Sequence, residues 1–183
     1  MTIETFTGYT VDDLDWLRDE LGVAHLELDP WGSLIVAPAT DEHELAMALL
    51  MEQAVRQLGL PPGSVRANGF AWIVPGGSGY LCVPDLTVLA PGWQRVDDLS
   101  ADPPPLLVAE VASPSTRRAD RGRKLADYRL GGAGIYVLVD LPVGRVAGAT
   151  LEAHDFASDR VTTGQGTLDL VVAGKPLHFD LAG

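Results

Sequence analysis

The 183-residue chain predicts an α/β fold on a mixed sheet, with a core in the order helix, three strands, helix, strand. Three observations lead there. Three apolar runs of strand length, 70–74, 81–89 and 106–112, follow a long helical pattern that begins near Asp41. A basic helical pattern then separates them from a fourth apolar run, Ile135-Tyr136-Val137-Leu138-Val139-Asp140. Short apolar runs with turn residues flank this core on both sides, which predicts β additions at both ends.

In order along the chain, Thr10 is placed to cap a first helix, with Asp12 and Asp13 in its opening turn. Leu14, Leu17 and Leu21 recur at helical spacing, and Gly22 ends the helix. Residues 24–28 and 33–37 flank Asp29-Pro30-Trp31-Gly32 and predict a hairpin. The second helix runs from Asp41 to about Leu58, carries Leu45, Leu49, Met51 and Val55, and is stopped by Gly59 and Pro61. Gly76-Gly77-Ser78-Gly79 joins the first two core strands, and a looser loop with Pro91-Gly92 and Pro103-Pro104-Pro105 joins the next two. Ser115 or Thr116 caps the basic helix, which Gly131-Gly132 stops after Leu130. From Arg145 onward the sequence predicts a β-rich tail at 151–154, 168–172 and 177–179.

Length and 46% apolar content fit one domain over residues 1–183. No apolar stretch approaches the roughly 18 residues of a membrane span, so no membrane partner is expected. The N-terminus lacks a signal-peptide layout, and a single cysteine, Cys82, leaves no internal disulfide. Both fit a cytoplasmic protein. The net charge of −12 repels nucleic acid at long range. Yet six of the thirteen Lys and Arg residues lie at 117–129: Arg117, Arg118, Arg121, Arg123, Lys124 and Arg129. Such a run is either a solvated helix face or a phosphate-binding surface, with Arg117, Arg118 and Arg121 as its candidates.

Two carboxylates, Asp85 and Glu110, sit within apolar strand runs about one strand apart. An ionised carboxylate buried in a strand costs several kcal/mol unless compensated, and two on neighbouring strands also repel each other. A cation is the natural compensator, and oxygen donors suit Mg²⁺ or Mn²⁺. If Asp85 pairs opposite Glu110, their carboxylates converge on one face, and the carbonyl of Val111 could supply a third ligand. Lys124 on the following helix could lean over this point to act on water or on developing phosphate charge. Metal, carboxylates and lysine together make a phosphodiester-cleaving set. For Asp85 and Glu110 the ordinary alternatives are a strand-edge aspartate and a surface glutamate. For Lys124 the alternative is a solvated helix lysine. Glu27 and His43 are further candidates, with a solvent-facing hairpin residue and a helix-start histidine as alternatives.

These residues resemble a family. Val83-Pro84-Asp85, then Leu107-Val108-Ala109-Glu110-Val111-Ala112-Ser113-Pro114-Ser115-Thr116, then Asp120-Arg121-Gly122-Arg123-Lys124-Leu125-Ala126-Asp127-Tyr128 are similar to the Uma-two family. Glu27-Leu28-Asp29 before Gly32, Pro38 before His43, and the Ile135–Asp140 run match further elements of it. This is a bacterial family described as restriction endonucleases within the PD-(D/E)XK nuclease superfamily. The resemblance implies a restriction-endonuclease-like core, with Asp85 and Glu110 as metal ligands and Lys124 as the active-site lysine. It also implies a DNA substrate. The superfamily's usual lysine position, two residues after the glutamate, is Ala112 here. A homodimer is expected for cutting two strands. A catalytically silent dimeric interaction or regulatory module of the same fold is the alternative. A two-carboxylate glycosidase would leave the basic helix unexplained.

Overall fold

The structure is a computed structural model that describes residues 8–22, 26–29, 31–35, 40–68, 72–73, 81–96, 100–112, 116–143 and 145–182. A 3₁₀ turn at Val11–Asp13 leads into α1 (Leu14–Leu21), and β1 (Glu27–Leu28) pairs antiparallel with β2 (Leu34–Ile35). Then follow α2 (Asp41–Leu58), β3 (Val65–Ala67), β4 (Trp72–Ile73), β5 (Leu81–Cys82) and β6 (Leu86–Val88). β7 (Gln94–Val96), β8 (Ser100–Asp102) and β9 (Leu107–Ala112) come next. A composite helix links β9 to β10 (Ile135–Asp140): α3 (Arg117–Ala119), a π-helical turn (Asp120–Lys124) and α4 (Leu125–Leu130). Four strands close the chain: β11 (Thr150–Asp155), β12 (Arg160–Gln165), β13 (Thr167–Val172) and β14 (Lys175–Asp180).

The central sheet has six strands in the order β12-β11-β10-β9-β6-β3. β9 and β10 run parallel, and the other neighbours in this sheet are antiparallel. A parallel pair needs a long crossover, and the composite helix is that crossover. Every residue of β9 is buried, as its continuous apolar run leads one to expect for a strand covered on both faces. Side chains alternate, so β9 and β10 feed two cores. Leu107, Ala109, Val111, Val137 and Val139 join α2 and the β13–β14 hairpin on one side. Val108, Ala112, Tyr136 and Leu138 join α1, the β1–β2 hairpin and Tyr128 of α4 on the other.

α2 is well specified at both ends. Thr40 takes the extended N-cap conformation and its Oγ1 accepts from His43 N at 3.3 Å. Asp41, Glu42 and Glu44 occupy the positive end of the helix dipole. Gly59 adopts the left-handed φ of +55° that ends the helix, and Lys175 Nζ donates to the terminal carbonyl of Leu58. On its buried face, Gln53 pairs with the backbone of Asp180, donating to its carbonyl at 2.8 Å and accepting from its amide at 2.7 Å. One turn on, Gln57 does the same to His178 at 2.7 and 2.8 Å. The backbone of β14 is thus met by two side-chain amides. Near the end of β12, Gly164 passes so close to Thr167 O that an added Cβ would lie 1.8 Å from it, which leaves room for glycine alone.

Several expectations change. The second helix buries Ala46, Met47, Leu50, Ala54 and Leu58, while Leu45 and Val55 are 52% and 53% exposed. The small alanines let the hairpin approach closely and so choose the buried face. The run 81–89 is two strands, because Pro84 has no amide to give a ladder and the chain breaks there. The loop between Pro91 and Pro103 contains the β7–β8 pair. β12 lies in a stretch too polar to have been read as a strand. Thr10 donates, from its N and Oγ1, to Asp13 Oδ2, so the aspartate is the acceptor at this helix start. Ser113–Ser115, Pro38, the Gly76–Gly79 turn and the outer parts of the expected hairpin lie outside the described residues. Among the described residues no helix is long and apolar enough to cross a membrane.

Candidate metal and catalytic site

Asp85 stands at the chain break between β5 and β6. The β6–β9 ladder ends at Leu86↔Ala109, and one further step of that register sets Asp85 opposite Glu110. Strand pairing is not continued there. Instead, Val111 N donates to Asp85 Oδ2 at 2.7 Å, while the Asp85 carbonyl accepts from Asn68 N at 3.0 Å. A side chain has replaced a backbone partner, which fixes the Asp85 carboxylate against β9. Alternation puts it on the face of β6 that carries Thr87, the same side of the sheet as Glu110. Its other oxygen, Oδ1, lies 3.1 Å from His43 Nε2 at the start of α2.

Glu110 is 4% exposed, Lys124 5% and Asp120 1%, so the centre of the site is almost dry. Burial pushes the Glu110 carboxyl well above the usual range; Lys124 opposes this, and Asp85, Glu27 and Asp120 add to it. Lys124 Nζ lies 3.0 Å from Glu27 Oε1, 3.1 Å from Glu110 Oε1 and 3.6 Å from Asp120 Oδ1. Burial alone would lower its affinity for the proton, but these three carboxylates together hold the ammonium well above the ordinary lysine value. The lysine is the last residue of the π-helical turn, a widened turn of a kind that recurs at functional sites. Glu27 is in turn fixed by Val83 N, which donates to the same Oε1 at 3.0 Å. Burial lowers the His43 value, yet Asp85 and its acidic neighbours outweigh that and leave it raised.

Asp85, Glu110, Lys124, Glu27 and His43 are therefore brought together. Asp120 and Tyr128 join them without having been singled out, whereas Tyr136 meets the cluster only through the backbone of Asp120. The Tyr128 hydroxyl donates to Glu110 Oε1, and Tyr136 OH donates to the carbonyl of Asp120 at 3.0 Å. Both hydroxyls are held well above the usual tyrosine range, chiefly by burial and then by Glu110. A signal existed: Asp120, Lys124 and Tyr128 follow one another at four-residue steps on one helix face. The arginines behave differently. Arg117 Nε and Nη2 donate to Asp140 Oδ1 at 2.9 and 2.6 Å, and Arg121 Nη2 donates to Asp140 Oδ2 at 2.9 Å. Arg121 also lies 3.8 Å from Glu152. These pairs clamp the crossover helix to the end of β10; Arg118 and Arg121 are exposed and Arg117 is half-buried.

The donor set suits a hard cation in type: carboxylates of Asp85 and Glu110 on one face, with backbone beside them. Among the described residues Asp120 Oδ1 is buried with no hydrogen-bond partner, its only cation being Lys124 at 3.6 Å, a further sign of acceptor capacity in excess of donors. Among the described residues no three His, Cys, Asp or Glu side chains form a group that could hold a metal by themselves. Mg²⁺ needs only one or two carboxylates and otherwise keeps water. The residues present fit such an ion.

The fold is shared with a solved structure. The crystal structure titled a putative nuclease belonging to DUF820, from Anabaena variabilis, aligns with a TM-score of 0.56 at 14% identity, covering 80% of this chain and 82% of that one. At that identity the likeness establishes the fold. The family model Uma2, described as "Putative restriction endonuclease", matches residues 14–176, and the chain belongs to that family. No curated protein matches it.

Proposed function

We propose that this chain is a divalent-cation-dependent endonuclease that hydrolyses phosphodiester bonds of DNA. Asp85 and Glu110, with the Val111 carbonyl, would hold Mg²⁺ or Mn²⁺, and Lys124 is the catalytic lysine. The observation that carries the reading is the Lys124 ammonium 3.1 Å from a buried Glu110 on the sheet face shared with Asp85. When bound, the cation would supply Lewis-acid stabilisation of phosphate charge. The chain's own groups do the rest. The low exposure of these groups strengthens each electrostatic contact, Lys124 offers positive charge to the attacking water or the phosphate, and Glu27 keeps that ammonium in place. His43 steadies Asp85. The outer faces of Arg117, Arg118 and Arg121 would guide the phosphate backbone, with Arg118 contributing most because Asp140 already draws on the other two.

Nicking of supercoiled plasmid in Mg²⁺ or Mn²⁺, with metal titration and thermal melting, tests the reading. Glu110→Gln should stay folded and lose both metal affinity and cleavage. Lys124→Ala, folded at the assay temperature, should keep metal affinity and lose about 10²-fold or more in cleavage. Wild-type-like nicking by both variants would trace the activity to a contaminant and end the assignment. One set of contacts favours the silent dimeric module instead: Lys124, Arg117 and Arg121 all have carboxylate partners within the chain, on a protein of net charge −12. No DNA binding at low salt with Ca²⁺ in place of Mg²⁺ would decide for that module. Light scattering would test the homodimer in either case.

A further inference from the structure

The Glu110 carboxylate is approached asymmetrically. Its Oε1 accepts the Tyr128 hydroxyl and lies 3.1 Å from the Lys124 ammonium, and among the described residues no hydrogen bond to Oε2 is seen. Lys124 and Tyr128 are four residues apart on one helix face, Lys124 closing the π-helical turn and Tyr128 within α4. The crossover helix therefore brings both groups to the same oxygen. Tyr128 is fully buried, and its ring lies 5.4 Å from that of Tyr136, so the hydroxyl has little freedom to turn elsewhere. A carboxylate held at one oxygen by two donors has its rotation about the terminal bond fixed, and its second oxygen is left to face the remaining open direction.

We propose that Tyr128 is a positioning residue, which reserves Glu110 Oε2 for the divalent cation by holding Oε1. This rests on the metal-site reading above and adds a residue to it. Tyr128 touches neither substrate nor cation; it acts through Glu110. Outer partners of a ligating carboxylate commonly contribute about 10- to 100-fold in metal affinity or activity. Tyr136 supplies an internal control. It is an equally buried tyrosine on the same side of the sheet, but its hydroxyl donates to the backbone of Asp120.

The test is calorimetric titration of Mn²⁺ into the full chain, without DNA, for wild type, Tyr128→Phe, Tyr136→Phe and Glu110→Gln. Tyr128→Phe keeps the ring and should bind Mn²⁺ about 10-fold more weakly. Tyr136→Phe should match the wild type, and Glu110→Gln should lose binding. The rise in melting temperature on adding Mn²⁺ reports the same order even in a variant that starts less stable. Wild-type affinity in Tyr128→Phe, with binding lost in Glu110→Gln, would leave Tyr128 a packing residue and overturn the inference alone. Undiminished binding in Glu110→Gln would overturn the metal site itself. Equal losses in Tyr128→Phe and Tyr136→Phe would reassign the effect to general packing and also overturn the inference.

Discussion

β9 presents opposite chemistries on its two faces. Leu107, Ala109 and Val111 enter a core of apolar side chains, to which α2 and the β13–β14 hairpin contribute and in which Gln53 is a buried polar residue. Val108, Glu110 and Ala112 enter the other side, where a carboxylate, an ammonium and a phenol meet in nearly as little water. On the first side each buried Leu or Val gains about 1.5–3 kcal/mol by leaving water, with no partner required. On the second side each buried charge is tolerable only while its partners stay within about 3 Å. Position 109 can thus vary in shape, whereas position 110 is bound to named neighbours. The difference teaches that equal burial does not mean equal tolerance.

The largest effect should come from exchanging the two chemistries. Ala109→Glu would put a carboxylate among Leu and Val side chains with no cation near. It should cost about 5 kcal/mol in urea denaturation, or prevent folding. A loss below about 2 kcal/mol would mean that the apolar side is wetter than its packing indicates. Next is Lys124→Met, which leaves Glu27 and Glu110 facing each other. About 3 kcal/mol should be lost at pH 8, and adding Glu110→Gln should restore part of it. Strict additivity of the two changes would break the idea of one coupled cluster.

On the apolar side, Gln53→Ala strands the amide and carbonyl of Asp180 and should cost about 2 kcal/mol. No measurable change would show that water replaces the side chain there. The smallest effect is a slope. Folded Glu110 keeps its proton to higher pH than the unfolded chain, whose carboxyl titrates near 4.5. Its contribution to stability is therefore complete below that value and declines as pH rises through the folded one. Glu110→Gln removes the decline, so metal-free melts should show the variant gaining on the wild type from pH 4 to pH 8. A parallel pair of curves would mean that Lys124 neutralises Glu110 completely.

The apolar strands, the two main helices and the carboxylate pair were legible because each is marked by its own local pattern. Asp85 and Glu110 stand out as charges within apolar runs, and the Leu86↔Ala109 register brings them level as strand alternation had suggested. The buried face of α2 was not legible. Leu45 and Val55 look like core residues, but it is Ala46, Ala54 and the polar Gln53 that allow a hairpin more than 120 residues later to approach. The π-helical turn was equally hidden, since no local spacing of Asp120-Arg121-Gly122-Arg123-Lys124 distinguishes five residues per loop from four. Glu27 offered its charge and its place in Glu27-Leu28-Asp29, but not its partner. Its partner Lys124 lies 97 positions away, and nothing in the hairpin sequence announces that contact.

The glutamines of α2 have a consequence for what the molecule can join. The outer edge of a terminal strand is normally a template on which a second chain can lay down its own backbone. At His178 and Asp180 that template is already written over by two amide side chains, each copying the donor and acceptor of a peptide group. A neighbouring molecule could add a strand here only by first peeling an 18-residue helix away from its core. Growth into a continuous intermolecular sheet is therefore closed at this edge.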